Sequence, residues 1–446
     1  MTPDFDVIVV GARCAGSPLA TLLARAGLRV CVLDRARFPS EVPSTHMLHP
    51  SGVAILDRLG VLDKVLATGA PPFTSGAFVF DDIRMEGNLA EVGNFEAPWL
   101  CVRRVTLDSL LIEMAEESGA QVRTQTEVVG LIADDGEIRG VRTATGTITS
   151  ALVVGADGPR SAVARFAGSR EYHVTSPGRF ASWAYFEGVA EPEARARLGK
   201  IGDVGFLAMP TDNGLFMAGV GLSMSMLPAY MADIGRGLDR GLAQIEEVAE
   251  VLRRATRVGP VRVMSRWHGY FREATGPGWV LVGDAGHFKD FTPAQGMSDA
   301  LRQAERLAPT IETGLAGGNL TDRLDWWWKW RDDDAWEMYW FASQIGASGA
   351  NPQMANEVLR GLSQEPDGPE LFLRVLNHDV APSKIFSNRR GAHALVRAVR
   401  TDPRSLPALA TETGALIRDE VRHRRLRRRP LFVTDPVARV SRATLT

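Results

Sequence analysis

Val7-Ile8-Val9-Val10-Gly11-Ala12-Arg13-Cys14-Ala15-Gly16 decides the fold. Four consecutive apolar residues read as a strand buried on both faces, the habit of a parallel sheet. A turn of small residues follows. Ser17 to Arg25 then continues as a helix that Gly27 stops. A second strand, Arg29 to Leu33, closes on Asp34. Together these make a βαβ unit of ordinary size. Glycine at 11 and 16 lets backbone approach a pyrophosphate, and the helix N-terminus beyond them presents free N–H groups and positive partial charge. A carboxylate at 34 is placed to accept hydrogen bonds from ribose hydroxyls. Arg13 stands where the usual fingerprint has its middle glycine, so the turn is wider or the arginine points outward.

Two further buried strands end the same way. Leu152-Val153-Val154 runs into Gly155-Ala156-Asp157-Gly158-Pro159-Arg160-Ser161. Trp279-Val280-Leu281-Val282 runs into Gly283-Asp284-Ala285-Gly286-His287, followed by Pro293-Ala294-Gln295-Gly296-Met297. Alone, the Asp157 turn reads equally as a structural strand-to-helix turn, and the Asp284 turn has a capped strand-helix junction as its structural alternative. Three in one chain are not independent, because a parallel sheet brings all its carboxyl ends to the edge where ligands bind. Asp284 is suited to a polyol, and Gly296-Met297 is expected to open a helix whose N–H groups face an electron-rich ring edge.

The rest of the chain supplies the frame. Helices are expected around Val53 to Leu59, Leu107 to Glu117 and Gly237 to Arg254. Val122 to Val141 reads as a short strand and a hairpin. Pro71 to Pro98 and Arg179 to Val263 read as β-rich, with strands at Gly205 to Pro210 and Phe216 to Val220. Beyond Asp284 the pattern is helical to about Arg429, with a short linker at Pro403 to Pro407. The fold class expected is α/β. Residues 1–75, 100–175 and 270–320 would form a Rossmann-like domain with a parallel sheet. Residues 76–99 and 176–269 would form an inserted mixed β-sheet domain, and 321–446 a helical C-terminal region.

At 446 residues the chain exceeds one ordinary core, so two or three domains are expected. A net charge of -2 gives no reason to expect nucleic acid or an anionic membrane as the main partner. Cys14, Cys31 and Cys101 form no C-x-x-C pair, which speaks against a zinc site, a disulfide framework and a dithiol flavin reductase. No apolar run reaches about 18 residues and no signal-peptide pattern opens the chain, so no transmembrane segment and a cytoplasmic location are expected.

The ordered set resembles a known family. Gly11 to Gly16 with Asp34, then Arg104-Val105-Thr106-Leu107-Asp108, then Asp157-Gly158, then Gly283-Asp284 with Pro293 and Gly296, is similar to the group A flavin monooxygenases, the para-hydroxybenzoate hydroxylase-like enzymes. The match covers about residues 5 to 310. It implies FAD, with NADPH or NADH as transient reductant and dioxygen as co-substrate. One oxygen atom would pass from a flavin hydroperoxide to an aromatic or polyene-type molecule, by hydroxylation or epoxidation. The resemblance assigns the cofactor to Gly11, Ala12, Cys14, Ala15, Gly16, Asp34, Arg35, Arg104, Val128, Asp157, Gly158, Gly283, Asp284, Pro293, Gly296 and Met297. Gly11 and Gly16 would hold the pyrophosphate, Asp34 the adenosine ribose and Arg104 the phosphate-ribityl region. Asp157 would support both FAD and the nicotinamide nucleotide, Asp284 the ribityl chain, and Gly296-Met297 the pyrimidine edge. Gln303 departs from the family, which often has Asp before Ala304.

The remaining features divide. Related halogenases carry W-x-W-x-I-P, but Gly205, Leu207 and Met209 occupy those positions here, which argues against halogenation. His46, in Ser44-Thr45-His46, is the candidate catalytic residue that would contact substrate or FAD; capping the next helix is its structural alternative. His287, after the flavin-binding Asp284, could sit near the ring or simply pack. Trp183, Phe206, Met217 and Trp336 are the candidate substrate-binding residues for an aromatic or apolar small molecule. The cluster Trp326 to Trp330 with Trp336 and Trp340 also fits core packing or a homodimer contact. Arg422 to Arg429 reads as a solvated helix end pairing with Asp419 and Glu420. The competing activity is a geranylgeranyl reductase-type FAD enzyme that saturates a double bond. A flavin-bound sensor without turnover is the third reading.

Overall fold

The computed structural model describes residues 2–88, 97–191 and 193–433. Of the expected β-rich segments, residues 89–96 lie outside the described residues, as does the chain after Val433. The βαβ unit forms as Phe5–Val10, Gly16–Arg25 and Val30–Leu33. Val7, Ile8 and Val9 are fully buried, so the strand is covered on both faces. A parallel core is built in the order Trp279–Leu281, Gly146–Gly155, Phe5–Val10, Val30–Leu33, Gln121–Arg123. Val10 pairs with both Leu33 and Gly155, and Gly155 with Leu281. Four strand ends therefore finish at one level. Val128–Asp134 and Glu137–Thr143 extend the Gly146 strand as an antiparallel flap.

A second, seven-stranded sheet is mixed. Its order is Thr256–Met264, Arg179–Glu187, Phe216–Ser223, Val204–Pro210, Arg195–Ile201, Ser75–Phe80, Ile83–Asn88. Only the Arg195 and Ser75 strands pair in parallel. One face of this sheet packs with Ile234–Leu242, Leu238 being fully buried there. The other packs with the C-terminal helices, Phe78 and Phe80 lying against Phe372, and borders the cavity. Asp212 ties the two sheets together: its carboxylate accepts from the Arg103 backbone N–H at 2.8 Å, the Arg103 guanidinium at 2.8 Å and Thr106. Arg103 directly precedes the helix Arg104–Glu117 under the first sheet.

Three expectations change. The stretch Gly237 to Arg254 is two helices, Ile234–Leu242 and Glu246–Leu252, because Ile245 takes extended backbone and is itself buried. Pro403 to Pro407 is no linker: Pro403–Ser405 is a helical turn feeding the helix Leu406–Arg428, with proline in the first turn where its missing N–H costs nothing. After the arginine run the chain returns as Phe432–Val433, which pairs with Glu171–Thr175 in a third, four-stranded sheet. Arg424 pairs with Glu420 at 2.7 Å, as expected of a solvated helix end, while Arg427 reaches Asp333 at 2.5 Å.

The tryptophan-rich helix is Leu320–Ile345, and its rings go to different places. Trp327 is fully buried in the first core, with Leu301 and Leu324. Trp328 donates to Tyr172 at 2.8 Å, and Trp340 stacks on His423 at 3.7 Å. Trp326 is 48% exposed. The helix therefore anchors the C-terminal region to the first and third sheets. Trp327→Ala should lower the free energy of unfolding by about 3–5 kcal/mol through cavity formation, whereas Trp326→Ala should cost less than about 1 kcal/mol; urea denaturation of the two variants reads the difference. Equal losses would mean the two rings contribute alike and contradict this packing.

Candidate functional site

A cavity of about 550 Å³ opens where the parallel strands end and runs between the two large sheets. Its floor begins at the Gly11 turn. A Cβ on Gly11 would lie 2.4 Å from the Ala156 carbonyl oxygen, and φ there is +107°. A Cβ on Gly16 would lie 1.8 Å from the Gly11 carbonyl oxygen. Both glycines are thus required by the protein's own backbone, before any ligand is considered. The helix Gly16–Arg25 starts without a side-chain cap and without acid in its first turn; Ser17 N–H already donates to the Arg13 carbonyl and Pro18 has no N–H, so the Gly16 N–H at its very start is the group left for an anion. Asp34, buried at the next strand end, accepts from Ala12 N–H at 2.9 Å and Ala36 N–H at 2.8 Å. That pairing holds the two loop ends together and leaves carboxylate lone pairs toward the cavity.

Arg13 points away from the turn. Its guanidinium donates to Asp108 at 2.5 Å and to Ser40 at 2.8 Å, and lies over the Phe38 ring. Asp108 is fully buried and also receives Arg104 at 2.9 Å and the Cys14 thiol at 3.5 Å. One carboxylate therefore fastens the cavity-lining Arg13, Cys14 and Arg104 to one another. The sequence flagged Arg104 and quoted Asp108 without giving it a role; the i, i+4 spacing of an Arg–Asp pair on one helix face was the available signal.

Asp157 accepts from Ala162 N–H at 2.6 Å through one carboxylate oxygen, while its other oxygen is buried with no protein partner. Burial raises its pKa. Asp284 lines the cavity, and burial lifts its pKa to about 6 against the pull of Arg104. Gly283 is held by Gln303, whose side-chain oxygen accepts the Gly283 N–H at 2.9 Å, so the departure at 303 becomes a strand-to-helix lock. The helix Gly296–Leu315 also begins uncapped, and a Cβ on Gly296 would meet nothing within 4 Å. Behind it, Lys289 is paired with Asp299, and His378 Nδ1 lies 3.3 Å from the same carboxylate. An orphaned buried oxygen, two uncapped helix starts and a ribose-level carboxylate fit the donor and acceptor set of FAD.

The structure brings most of the sequence-predicted residues to this one cavity. Gly11, Cys14, Ala15, Asp34, Arg35, Arg104, Val128, Asp157, Gly158, Gly283, Asp284, Pro293, Gly296 and Met297 line it. Ala12 and Gly16 lie within the turn itself. Trp183, Phe206 and Met217 border it from the second sheet, although Phe206 also packs with Phe180 and Leu238 on that sheet's far face. His287 lines the cavity too, its ring tilted against Phe271 at 4.5 Å. Two residues are not brought there. Trp336 sits edge-on to His173 at 5.1 Å and under Arg427, because its helix turn faces the third sheet. His46 is buried behind the cavity wall, its Nε2 2.6 Å from the Tyr185 hydroxyl, and it caps no helix. Sequence reasoning gave no role to His49, whose Nε2 lies 3.1 Å from the Pro293 carbonyl, and missed the cations Arg179 and Lys200 on the second sheet.

Burial keeps the His46 ring neutral, with its pKa down at about 3. An unfolded histidine takes its proton near 6.5. Acid therefore favours the unfolded chain progressively below pH 6.5, until the folded ring also protonates near 3. Between pH 6.5 and 5 this one group should remove about 2 kcal/mol of stability. His46→Gln should abolish that share, so the difference between unfolding free energies at pH 7 and pH 5 should shrink by about 2 kcal/mol. An unchanged pH dependence would contradict the buried neutral state.

Comparison with known proteins agrees with the cavity. The FAD binding domain family matches residues 4–342. The chain is 28% identical to 6-methylpretetramide 4-monooxygenase of Streptomyces rimosus, over 72% of this chain and 78% of that protein. It is 30% identical to menaquinone reductase of Mycolicibacterium smegmatis, over 73% of this chain and 80% of that protein. The flavin-dependent brominase Bmp2 has the same fold, with a TM-score of 0.70 at 20% identity over 90% of this chain and 99% of that one. The match across the whole βαβ frame and second sheet means that the chain belongs to the FAD binding domain family, as a group A FAD-dependent monooxygenase-type oxidoreductase.

Proposed function

We propose that the protein is a single-component monooxygenase that takes electrons from NADPH or NADH and adds one atom of dioxygen to an aromatic or polyene-type small molecule. The observation that carries this reading is the meeting, in one cavity, of a dinucleotide-shaped polar edge and a wall of apolar side chains. When bound, FAD supplies electron transfer from the nicotinamide to dioxygen and onward oxygen transfer. The chain supplies position. The Gly11 turn and the helix start at Gly16 hold the pyrophosphate, Asp34 and Arg35 the adenosine end, and Arg104 the ribityl-phosphate region. Asp284 and the open oxygen of Asp157 accept hydroxyl hydrogens. The Gly296 helix start donates to the pyrimidine edge. In this reading residues 1–75, 100–175 and 270–320 form the cofactor domain, 76–99 and 176–269 the substrate domain, and 321–446 the helical region that braces both.

The second sheet turns Phe78, Trp183, Leu198, Leu207 and Met217 toward the cavity. An apolar wall excludes water, which is what oxygen transfer to a poorly reactive ring requires. The Streptomyces rimosus relative supports an oxygenation, and Gly205 and Leu207 in place of the two halogenase tryptophans support it against halogenation. One observation favours a second reading: the menaquinone reductase relative, at 30% identity, supports a reductase that saturates a double bond on the same frame.

Two outcomes test the proposal. Asp108→Asn removes the charge that faces both Arg13 and Arg104 and should weaken FAD binding by about ten- to a hundredfold, since breaking a buried pair leaves uncompensated charge. Fluorescence titration of the apoprotein with FAD measures it, and an unchanged affinity would contradict the role given to the Asp108 clasp. With the FAD-loaded protein, NADPH or NADH oxidation should be accelerated by a cognate aromatic or polyene compound and matched by oxygen uptake in an electrode cell. Accelerated oxidation of the nicotinamide without oxygen uptake would overturn the monooxygenase in favour of the reductase.

A further inference from the structure

The second sheet places a hollow and a buried cation side by side, away from the cofactor edge. Register sets Ala181 opposite Gly221, Gly221 opposite Gly205, and Gly205 opposite Lys200. Phe80 follows beside Lys200. All five residues line the cavity. Neither glycine is demanded by the backbone. A Cβ on Gly205 would meet no atom closer than 3.6 Å, and one on Gly221 none closer than 3.7 Å. What their missing side chains leave is a flat floor on the sheet.

Lys200 is only 6% exposed. Its ammonium donates to the Ala347 carbonyl at 3.2 Å, and among the described residues no carboxylate lies within ion-pairing distance of it. The charges around it are committed elsewhere. Arg179 is saturated by the Asp203 carboxylate and by the carbonyls of Asp203, Gly221 and Ala347. Asp203 accepts from Arg179 and from Gly349 N–H. Asp81 accepts from Gly202 N–H, Asn351 and Asn356. Burial, then Arg179, holds the Lys200 pKa down at about 8. An ammonium with unused N–H donors at the wall of an apolar cavity is stabilised when an anion arrives.

We propose that Lys200 sets substrate specificity by pairing with an acidic oxygen, a carboxylate or an acidified phenol or enol, carried by a flat apolar ring system that lies over Gly205 and Gly221. Calling this ligand the substrate rests on the monooxygenase reading; the binding site itself does not. Ring edges meet Phe78, Phe80 and Leu198, and the acidic oxygen ends at the Lys200 ammonium, displacing its weak hold on Ala347.

Calorimetric titration of the full FAD-loaded chain with anthraquinone-2-carboxylate and with anthraquinone-2-carboxamide tests this, because the two probes differ only in charge. The wild type should bind the carboxylate at least about tenfold more tightly. Lys200→Met should remove that preference at unchanged FAD content, and Lys200→Arg should keep it. Gly205→Trp should weaken both probes by filling the floor. Equal affinity for the two probes in the wild type, no binding of the carboxylate, or a preference that survives Lys200→Met would overturn the assignment. Because the readout is binding, a chain that fails to take up oxygen yet discriminates the probes would refute the monooxygenase reading and leave the role of Lys200 standing.

Discussion

Backbone packed on backbone at the Gly11 turn is the constraint on which the rest of the structure depends. Gly11 lies against the end of the neighbouring strand at Ala156, and Gly16 lies against Gly11. No side chain fits at either place. The close fit brings the first helix down onto the ends of the parallel strands and levels Leu33, Val10, Gly155 and Leu281 at one edge. Asp34, Asp157 and Asp284 then follow those ends into a single cavity because a parallel sheet leaves them no other exit.

Charge is managed differently on the two sides of that cavity. At the cofactor edge, three cations are paired within the protein: the Asp108 carboxylate holds Arg13 and Arg104, and Asp299 holds Lys289. The acids facing the cavity are the ones left with spare acceptors, and burial raises the pKa of Asp157 and Asp284. That pattern suits a ligand rich in hydroxyls at one end and phosphates over uncapped helix starts at the other. On the second sheet the balance reverses, with Lys200 holding donors to spare beside charges that are already paired. Two ligands of unlike chemistry can thus share one cavity without competing for the same groups.

The cofactor half of the site was legible in the sequence because its signals are local. A continuous apolar run, a turn of small residues and an acid at the strand end are adjacent in the chain, and the parallel sheet does the rest. The second half was not legible, because it is made by register. Lys200 meets Gly205 across a strand pair, and nothing in the sequence near either marks a cavity. The tryptophan-rich helix shows the same limit. Composition marks Leu320–Ile345 as apolar and aromatic, but helical rotation sends Trp327 into the first core, Trp336 to the third sheet and Trp326 into solvent. The strand Phe432–Val433 was also unforeseen, since two residues carry no period and pair only with a partner about 260 residues earlier in the chain.

Oxygen transfer is the central chemical claim, and isotope labelling tests it most directly. Turnover of the FAD-loaded protein under ¹⁸O₂ with a reduced nicotinamide should yield a product carrying one heavy oxygen atom, the other leaving as water. A product that gains two hydrogens and no label would contradict the account and identify the protein as a reductase.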